Sequence, residues 1–96
     1  MFKEIAAQKV QEMQEEDAVN VVDIRDPGSF AGGHIPNAVS LNDGNVKEYI
    51  ENTDKEKPLV VCCYHGNSSR GAAEYLSQNG FKEVYSMTGG FDAWPD

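Results

Sequence analysis

The most informative segment of this chain is Val60-Val61-Cys62-Cys63-Tyr64-His65-Gly66-Asn67-Ser68-Ser69-Arg70. The apolar run 59–62 is continuous, which is typical of a strand buried on both faces of a parallel sheet. A loop of small and polar residues follows, and a helix is predicted to begin at Ser68 or Ser69 and to end at Asn79-Gly80. This order places the Cys63 thiol at the floor of a cup of backbone N–H groups, and such a cup binds anions and stabilises a thiolate.

Strands and helices alternate along the rest of the chain. Further strands are predicted at 2–5, 19–24, 38–41 and 84–85, and further helices at 6–15 and, as a single turn, at 27–32. Asp43 is predicted to cap another helix, which carries Val46, Tyr49 and Ile50 on one face. The alternation predicts an α/β fold with a parallel sheet covered by helices on both faces. Ligands of such sheets bind beyond the carboxyl ends of the strands, where Cys63 falls.

Size and charge limit the classes of function. A chain of 96 residues is expected to form one domain, 1–96. The net charge of −8 argues against nucleic acid and anionic membranes as partners, and an anionic substrate would need a locally positive site. No apolar run approaches the roughly 20 residues needed to span a bilayer, and the first residues lack an apolar core of signal-peptide length. These features lead us to expect a cytoplasmic protein with no membrane partner.

The two cysteines, Cys62 and Cys63, are adjacent. Neighbouring residues of an extended chain point to opposite faces, so a disulfide between them would be strained and both thiols are expected to be reduced. Cys62 is expected to be a small buried apolar residue of the strand. The opposite orientation, the lack of a Cys-x-x-Cys pair and the short supply of ligands argue against a metal site. No glycine pattern for nucleotide phosphates is present either.

Cys63 is the candidate nucleophile, because only a thiolate attacks and the loop offers several ways to stabilise one. The N–H groups of Tyr64 through Ser69 can converge on its sulfur, and the positive end of the helix dipole adds to them. Gly66 gives the loop access to positive φ, and Asn67 tolerates that region as well.

Five loop side chains have candidate roles of their own. Ser68 and Ser69 can cap the helix and donate their hydroxyl groups. His65 is a second donor, a cation when protonated, or a solvated loop residue, and Arg70 adds a fixed positive charge near the cup. Tyr64 either packs against the protein or forms a wall of the substrate pocket.

Residues outside the loop have mostly structural interpretations. His34, in Gly33-His34-Ile35-Pro36, is expected to satisfy loop carbonyl groups. Gly89-Gly90 opens a turn, and Phe91 and Trp94 after it are expected to close the core.

Three segments together resemble the rhodanese family, in its short, single-domain, bacterial GlpE type. The active loop Cys63-Tyr64-His65-Gly66-Asn67-Ser68-Ser69 is a specific signal. Asp23-Ile24-Arg25 with Gly33-His34-Ile35-Pro36-Asn37-Ala38, and Gly89-Gly90-Phe91-Asp92-Ala93-Trp94, resemble the two flanking signatures. The resemblance implies a sheet of five mainly parallel strands with helices on both faces. It also implies that Cys63 takes a sulfur atom from thiosulfate as a persulfide, cradled by residues 64–69, and passes it to cyanide or a thiol without metal or organic cofactor.

Two other classes of function remain open. Phosphatases and arsenate reductases also hold a thiolate in a cup of N–H groups, but commonly with an arginine six positions after the cysteine. Here that position is Ser69, and the arginine is the next residue, Arg70, which disfavours this class. A non-enzymatic sulfur carrier or persulfide-based interaction module would share the same loop, so turnover with thiosulfate and cyanide has to separate it from an enzyme.

Overall fold

The computed structural model describes residues 1–95. Its five strands form one sheet in the order β1-β5-β4-β2-β3, and every neighbouring pair is parallel. The strands are β1 (Lys3–Ile5), β2 (Asn20–Asp23), β3 (Val39–Ser40), β4 (Leu59–Cys62) and β5 (Val84–Met87). The helices are α1 (Ala7–Glu15), α2 (Pro27–Gly32), α3 (Val46–Asn52) and α4 (Ser68–Gln78), followed by a 3₁₀ turn (Gly90–Ala93). This architecture confirms the predicted α/β fold.

The central strand β4 lies between β2 and β5, and all four of its residues are buried. Burial on both sides explains why its sequence is apolar without alternation. The strand β5 runs two residues further than the sequence predicted, because Tyr85 to Met87 also pair with β1. Its longer course brings Ser86 opposite Val61, close to the end of β4 from which the loop leaves.

Each face of the sheet buries its own apolar cluster. One cluster includes α1, with which the partly buried Phe91 and Trp94 pack as expected. The other includes α4, with side chains of α3 packed against it. The first cluster consists of Ile5, Ala7, Val10, Val19, Val21, Ile35, Val60, Cys62 and Met87. The second consists of Val22, Leu41, Leu59, Val61, Ala73, Leu76, Phe81 and Val84. Helices therefore cover both faces, as predicted.

The start of α3 differs from the prediction that Asp43 caps it. The N-cap residue is Asn45, and it makes no side-chain cap bond within the helix. Its side chain instead accepts a bond from the Asn42 N–H at 2.8 Å and donates to the Ser40 carbonyl at 2.8 Å. These bonds close a turn between β3 and α3, and Asp43 lies within that turn, ahead of the cap position.

Within residues 1–95, no helix has the length and apolar character to cross a membrane.

Candidate active site

Cys63 directly follows β4, at the carboxyl edge of the sheet, and its side chain is buried. Its Sγ accepts hydrogen bonds from the N–H of Gly66 at 3.1 Å and from the N–H of Ser69 at 3.3 Å. The predicted cup of donors is therefore present, although it is smaller than expected. Tyr64, Asn67 and Ser68 are not among the residues whose N–H groups bond to Sγ in the described structure.

The sulfur of Cys63 accepts a hydrogen bond from the N-terminus of α4. The helix begins at Ser68 after the N-cap residue Asn67, which makes no side-chain cap bond, so neither Ser68 nor Ser69 has the predicted capping role. The first N–H groups of a helix have no partner within the helix. Because Sγ accepts the Ser69 N–H, the sulfur of Cys63 satisfies one of them and lies at the positive end of the helix.

The loop turns sharply at Gly66, where φ is +95°. A Cβ added there would lie 2.8 Å from the backbone nitrogen of Gly89 and 3.3 Å from the carbonyl oxygen of Met87. Both the positive φ and the close approach require glycine. The turn therefore sets the Gly66 N–H beneath the sulfur and packs the loop against the end of β5.

The 3₁₀ turn holds the first two carbonyl groups of the loop. The Phe91 N–H donates to the Cys63 carbonyl at 2.7 Å, and the Asp92 N–H donates to the Tyr64 carbonyl at 3.2 Å. Gly90 has φ +61°, and a Cβ there would lie 2.5 Å from the Cys63 carbonyl oxygen. Carbonyl oxygens that would repel a thiolate are thus bound to the turn. Sequence reasoning recognised the glycine pair as a turn but missed this contact with the loop.

The two neighbouring thiols differ in acidity. Burial raises the pKa of Cys63. Hydrogen bonds from the Ser69 hydroxyl and from the N–H groups of Ser69, Gly66 and His65 lower it by more, so the pKa of Cys63 lies below its usual value. Burial, together with the charge of Asp23, raises the pKa of Cys62 to about 12. Cys62 lies in the core, as expected, and only Cys63 has the environment of a nucleophile.

The exposed loop side chains contact the surrounding elements. Tyr64 is 43% exposed, and its hydroxyl bonds to Asp26 and, at 2.9 Å, to Ser29 at the start of α2. The Tyr64 side chain therefore links the loop to α2. His65 pairs with Asp92 of the 3₁₀ turn, with 2.6 Å between Nδ1 and Oδ2.

Arg70 was expected to bring a positive charge to the cup. Its guanidinium lies 3.7 Å from the Glu4 carboxylate of β1, and both side chains are about half exposed. The pairing offsets part of its charge, and none of the hydrogen bonds to Sγ comes from Arg70.

Arg25 is a buried cation that the sequence analysis did not single out for the site. Its guanidinium binds the Asp23 carboxylate at 2.7 Å and the Gly33 carbonyl at 2.7 Å, and it lies 4.2 Å from the centre of the Phe91 ring. These contacts join the end of β2 to the 3₁₀ turn that supports the loop. The signal in the sequence was the run Asp23-Ile24-Arg25 at the end of a strand.

His34 has the structural role predicted for it. Its Nδ1 lies 2.9 Å from the Phe30 carbonyl oxygen, and its ring stacks on the Phe30 ring at 3.9 Å. Among residues 1–95, no three His, Cys, Asp or Glu side chains are grouped so that they could hold a metal ion.

A cysteine sulfur held by backbone donors at the carboxyl edge of a parallel sheet defines an α/β protein with a site suited to a nucleophilic cysteine. The Rhodanese-like domain family matches residues 6–96. The chain belongs to the rhodanese-like family, which confirms the resemblance seen in the three sequence segments.

Two relatives match over almost the whole chain. Thiosulfate sulfurtransferase GlpE of Ectopseudomonas mendocina is 52% identical over 93 residues, which cover 97% of this chain and 84% of the relative. The protein of the same name from Shewanella oneidensis is 48% identical over 93 residues, covering 97% of this chain and 92% of the relative. The crystal structure of a rhodanese-like domain protein from Staphylococcus aureus superposes with a TM-score of 0.85 at 28% identity, over 99% of this chain and 93% of that one.

Proposed function

We propose that the chain is a thiosulfate sulfurtransferase that carries sulfur as a persulfide on Cys63, with residues 1–96 acting as one catalytic domain. The observation that carries the proposal is the Cys63 sulfur bound by the N–H groups of Gly66 and Ser69 at a helix N-terminus. The names and high identity of the two GlpE relatives support thiosulfate as the donor. Two free thiols suit a reducing compartment, so we place the activity in the cytoplasm.

In the first half of the reaction, the Cys63 thiolate attacks the outer sulfur of thiosulfate. A bond forms between Sγ and that sulfur, the sulfur–sulfur bond of thiosulfate breaks, and sulfite leaves with the bonding electron pair. The negative charge that remains lies on the outer sulfur of the persulfide. Donors fixed in advance around the site stabilise this charge without reorganising, and such preorganisation is usually the largest source of rate.

In the second half, cyanide or a thiolate attacks the outer sulfur of the persulfide. The new bond gives thiocyanate from cyanide, or a persulfide from a thiolate acceptor, and the electron pair returns to Sγ as the Cys63 thiolate. The cycle is a ping-pong reaction through a covalent intermediate. Neither half of the reaction requires a redox partner or a cofactor, because the transferred sulfur atom keeps its oxidation state throughout.

The size of the loop favours sulfur over phosphate as the group held. The loop between β4 and α4 spans only residues 63–67. The Gly66 N–H of this loop and the Ser69 N–H of the first turn of α4 already bind Sγ itself. A tetrahedral phosphate or arsenate would need further N–H groups to surround its oxygens. We therefore expect sulfur transfer without hydrolysis of an aryl phosphate.

Intact-mass measurement after mixing with thiosulfate tests the proposal. The wild-type chain should gain one sulfur atom that a reductant removes, and Cys63→Ser should gain none. Loading of the Cys63→Ser protein, or failure of the folded wild type to load, would contradict the proposal.

Turnover separates an enzyme from a carrier. Steady release of thiocyanate from thiosulfate and cyanide is the expected result. Loading without turnover with cyanide or any thiol would identify a sulfur carrier or interaction module instead, and hydrolysis of an aryl phosphate would support the phosphatase alternative.

A further inference from the structure

Two buried hydroxyl groups meet beneath the active loop. Ser69 of α4 and Ser86 of β5 are 0% and 1% exposed, and their Oγ atoms lie 2.6 Å apart. The other buried polar residues of the described chain, Asp23 and Arg25, bind each other. The serine pair is thus a separate polar contact in the apolar layer between α4 and the sheet.

The pair is connected to the reacting sulfur through Ser69. The N–H of this residue donates to Cys63 Sγ at 3.3 Å, so Ser69 contacts the sulfur on one side and Ser86 on the other. Ser86 lies on the face of β5 toward α4, opposite Val61 in the register of the sheet. The hydrogen-bonded connection from Ser86 to the sulfur therefore runs through Ser69.

The direction of the hydrogen bond between the two serines determines whether the Ser69 hydroxyl proton is available to another group. Each serine hydroxyl has one proton to donate, and only one of the two groups can donate to the other. If Ser69 donates to Ser86, its proton is used there. If Ser86 donates to Ser69, the Ser69 proton is free to turn toward the Cys63 sulfur, which the N–H of the same residue already contacts at 3.3 Å.

We propose that Ser86 is a positioning residue for the nucleophile: its hydroxyl donates to Ser69 Oγ, which directs the Ser69 hydroxyl toward Cys63 Sγ. The inference rests on the proposed function in taking the Cys63 thiolate as the reacting group. It agrees with the contribution of the Ser69 hydroxyl to the lowered pKa of Cys63. The hydrogen bonds to Sγ come from Gly66 and Ser69 and not from Ser86, so Ser86 acts by holding Ser69 in its donating arrangement.

The rate of Cys63 alkylation by iodoacetamide, followed against pH by mass spectrometry, tests this role. Loss of one hydrogen bond to a thiolate lowers the thiolate fraction near neutral pH, while the more basic thiolate becomes more nucleophilic. For Ser86→Ala we expect a roughly threefold slower reaction at pH 7 and a rate at least equal to wild type at pH 10, so the two curves cross. Ser69→Ala should show the same shift of the pH profile. The double variant Ser69→Ala with Ser86→Ala should have the profile of Ser69→Ala alone.

Matched variants separate positioning from packing. Ser86→Thr and Ser86→Val have nearly the same shape and both suit a strand, but only threonine keeps the hydroxyl. We expect Ser86→Thr to retain the wild-type pH profile and Ser86→Val to show the shifted one. Tyr85→Phe is the control, because it removes the hydroxyl group of the residue before Ser86. That hydroxyl bonds to Glu83, so its loss should leave the pH profile of alkylation unchanged.

Three results would overturn the inference. They are an unshifted profile in folded Ser86→Ala and Ser86→Val, equal profiles for threonine and valine, or effects of Ser69→Ala and Ser86→Ala that add. The titratable and charged groups around the loop are the same in every variant: Cys62, Tyr64 with Asp26, His65 with Asp92, Asp23 with Arg25, and Arg70 with Glu4. Alkylation does not require sulfur transfer, so a failure to load sulfur from thiosulfate would reject the proposed function without deciding this test.

Discussion

Cys62 and Cys63 are adjacent and both buried, yet their thiols have opposite properties. Cys62 is 0% and Cys63 is 3% exposed, but the pKa of Cys62 is raised to about 12 and that of Cys63 lies below its usual value. Burial raises the pKa of both thiols. The difference comes from hydrogen-bond donors, because Cys63 Sγ accepts two backbone N–H groups while the Cys62 thiol donates to the Cys63 carbonyl at 3.5 Å.

The comparison shows that the end of a strand divides two chemical environments. Cys62 is the last residue of β4 and is packed in one of the apolar clusters. Cys63 begins the loop, where the chain leaves the ladder and its neighbours have N–H groups free to bind the sulfur. One peptide unit therefore separates a thiol with a raised pKa from a thiol with a lowered pKa.

The largest expected effect is the difference in alkylation between the two cysteines of the native protein. With a pKa of about 12, roughly one Cys62 thiol in 10⁵ is ionised at pH 7. We expect iodoacetamide to modify Cys63 more than about a thousandfold faster than Cys62. Peptide mapping after timed alkylation measures both rates. In denaturant the two rates should become similar, and similar rates in the native protein would refute the contrast.

Gly90→Ala should cost the next largest loss. The new Cβ would lie within 2.5 Å of the Cys63 carbonyl oxygen and of Tyr64 backbone atoms, so the loop must move. A displacement of about 1 Å at a catalytic centre costs on the order of a hundredfold in rate. We expect a loss of that order in kcat/KM for thiosulfate, measured by thiocyanate release.

Gly71→Ala is the matched control for this change. Gly71 lies in α4, and a Cβ added there meets nothing within 4 Å. Alanine is favoured over glycine inside a helix by up to about 1 kcal/mol, so the control should keep its activity and melt no lower than wild type. Full activity in Gly90→Ala would show that the 3₁₀ turn does not set the loop geometry.

The local parts of this site could be predicted from the sequence, and the contacts between distant segments could not. The apolar run before Cys63 and the small residues after it predict a strand, a loop and a helix, because each depends on neighbouring residues. That Gly90 supports Cys63, or that Ser86 meets Ser69, depends on which segments pack together in space. The prediction that Asp43 caps α3 was wrong for the same reason. The N-cap residue is Asn45, whose side chain bonds to Asn42 and Ser40 across the turn.

Cys62→Ala tests the inert side of the contrast. The substitution removes a buried sulfur from an apolar cluster, and we expect a loss of about 1 kcal/mol in the free energy of unfolding. Sulfur loading from thiosulfate should continue on Cys63. Denaturant unfolding and intact-mass spectrometry measure the two effects on one sample. Loss of loading in a folded Cys62→Ala protein would give Cys62 a role in the chemistry and end the division between the two residues.

The smallest expected effect concerns Arg70, the charged residue nearest to the loop in sequence. If backbone donors define the reactive side, removing a half-exposed guanidinium that pairs with Glu4 should matter little. We expect Arg70→Ala to lower kcat/KM for thiosulfate no more than about threefold, and the difference to disappear as salt screens exposed charges beyond about 8 Å. Lys82→Ala is the control, since Lys82 is another exposed cation paired with a carboxylate, that of Glu56. A loss of a hundredfold for Arg70→Ala, with iodoacetamide reactivity unchanged, would mean that a side-chain charge recruits the anionic donor while the N–H groups only prepare the thiolate.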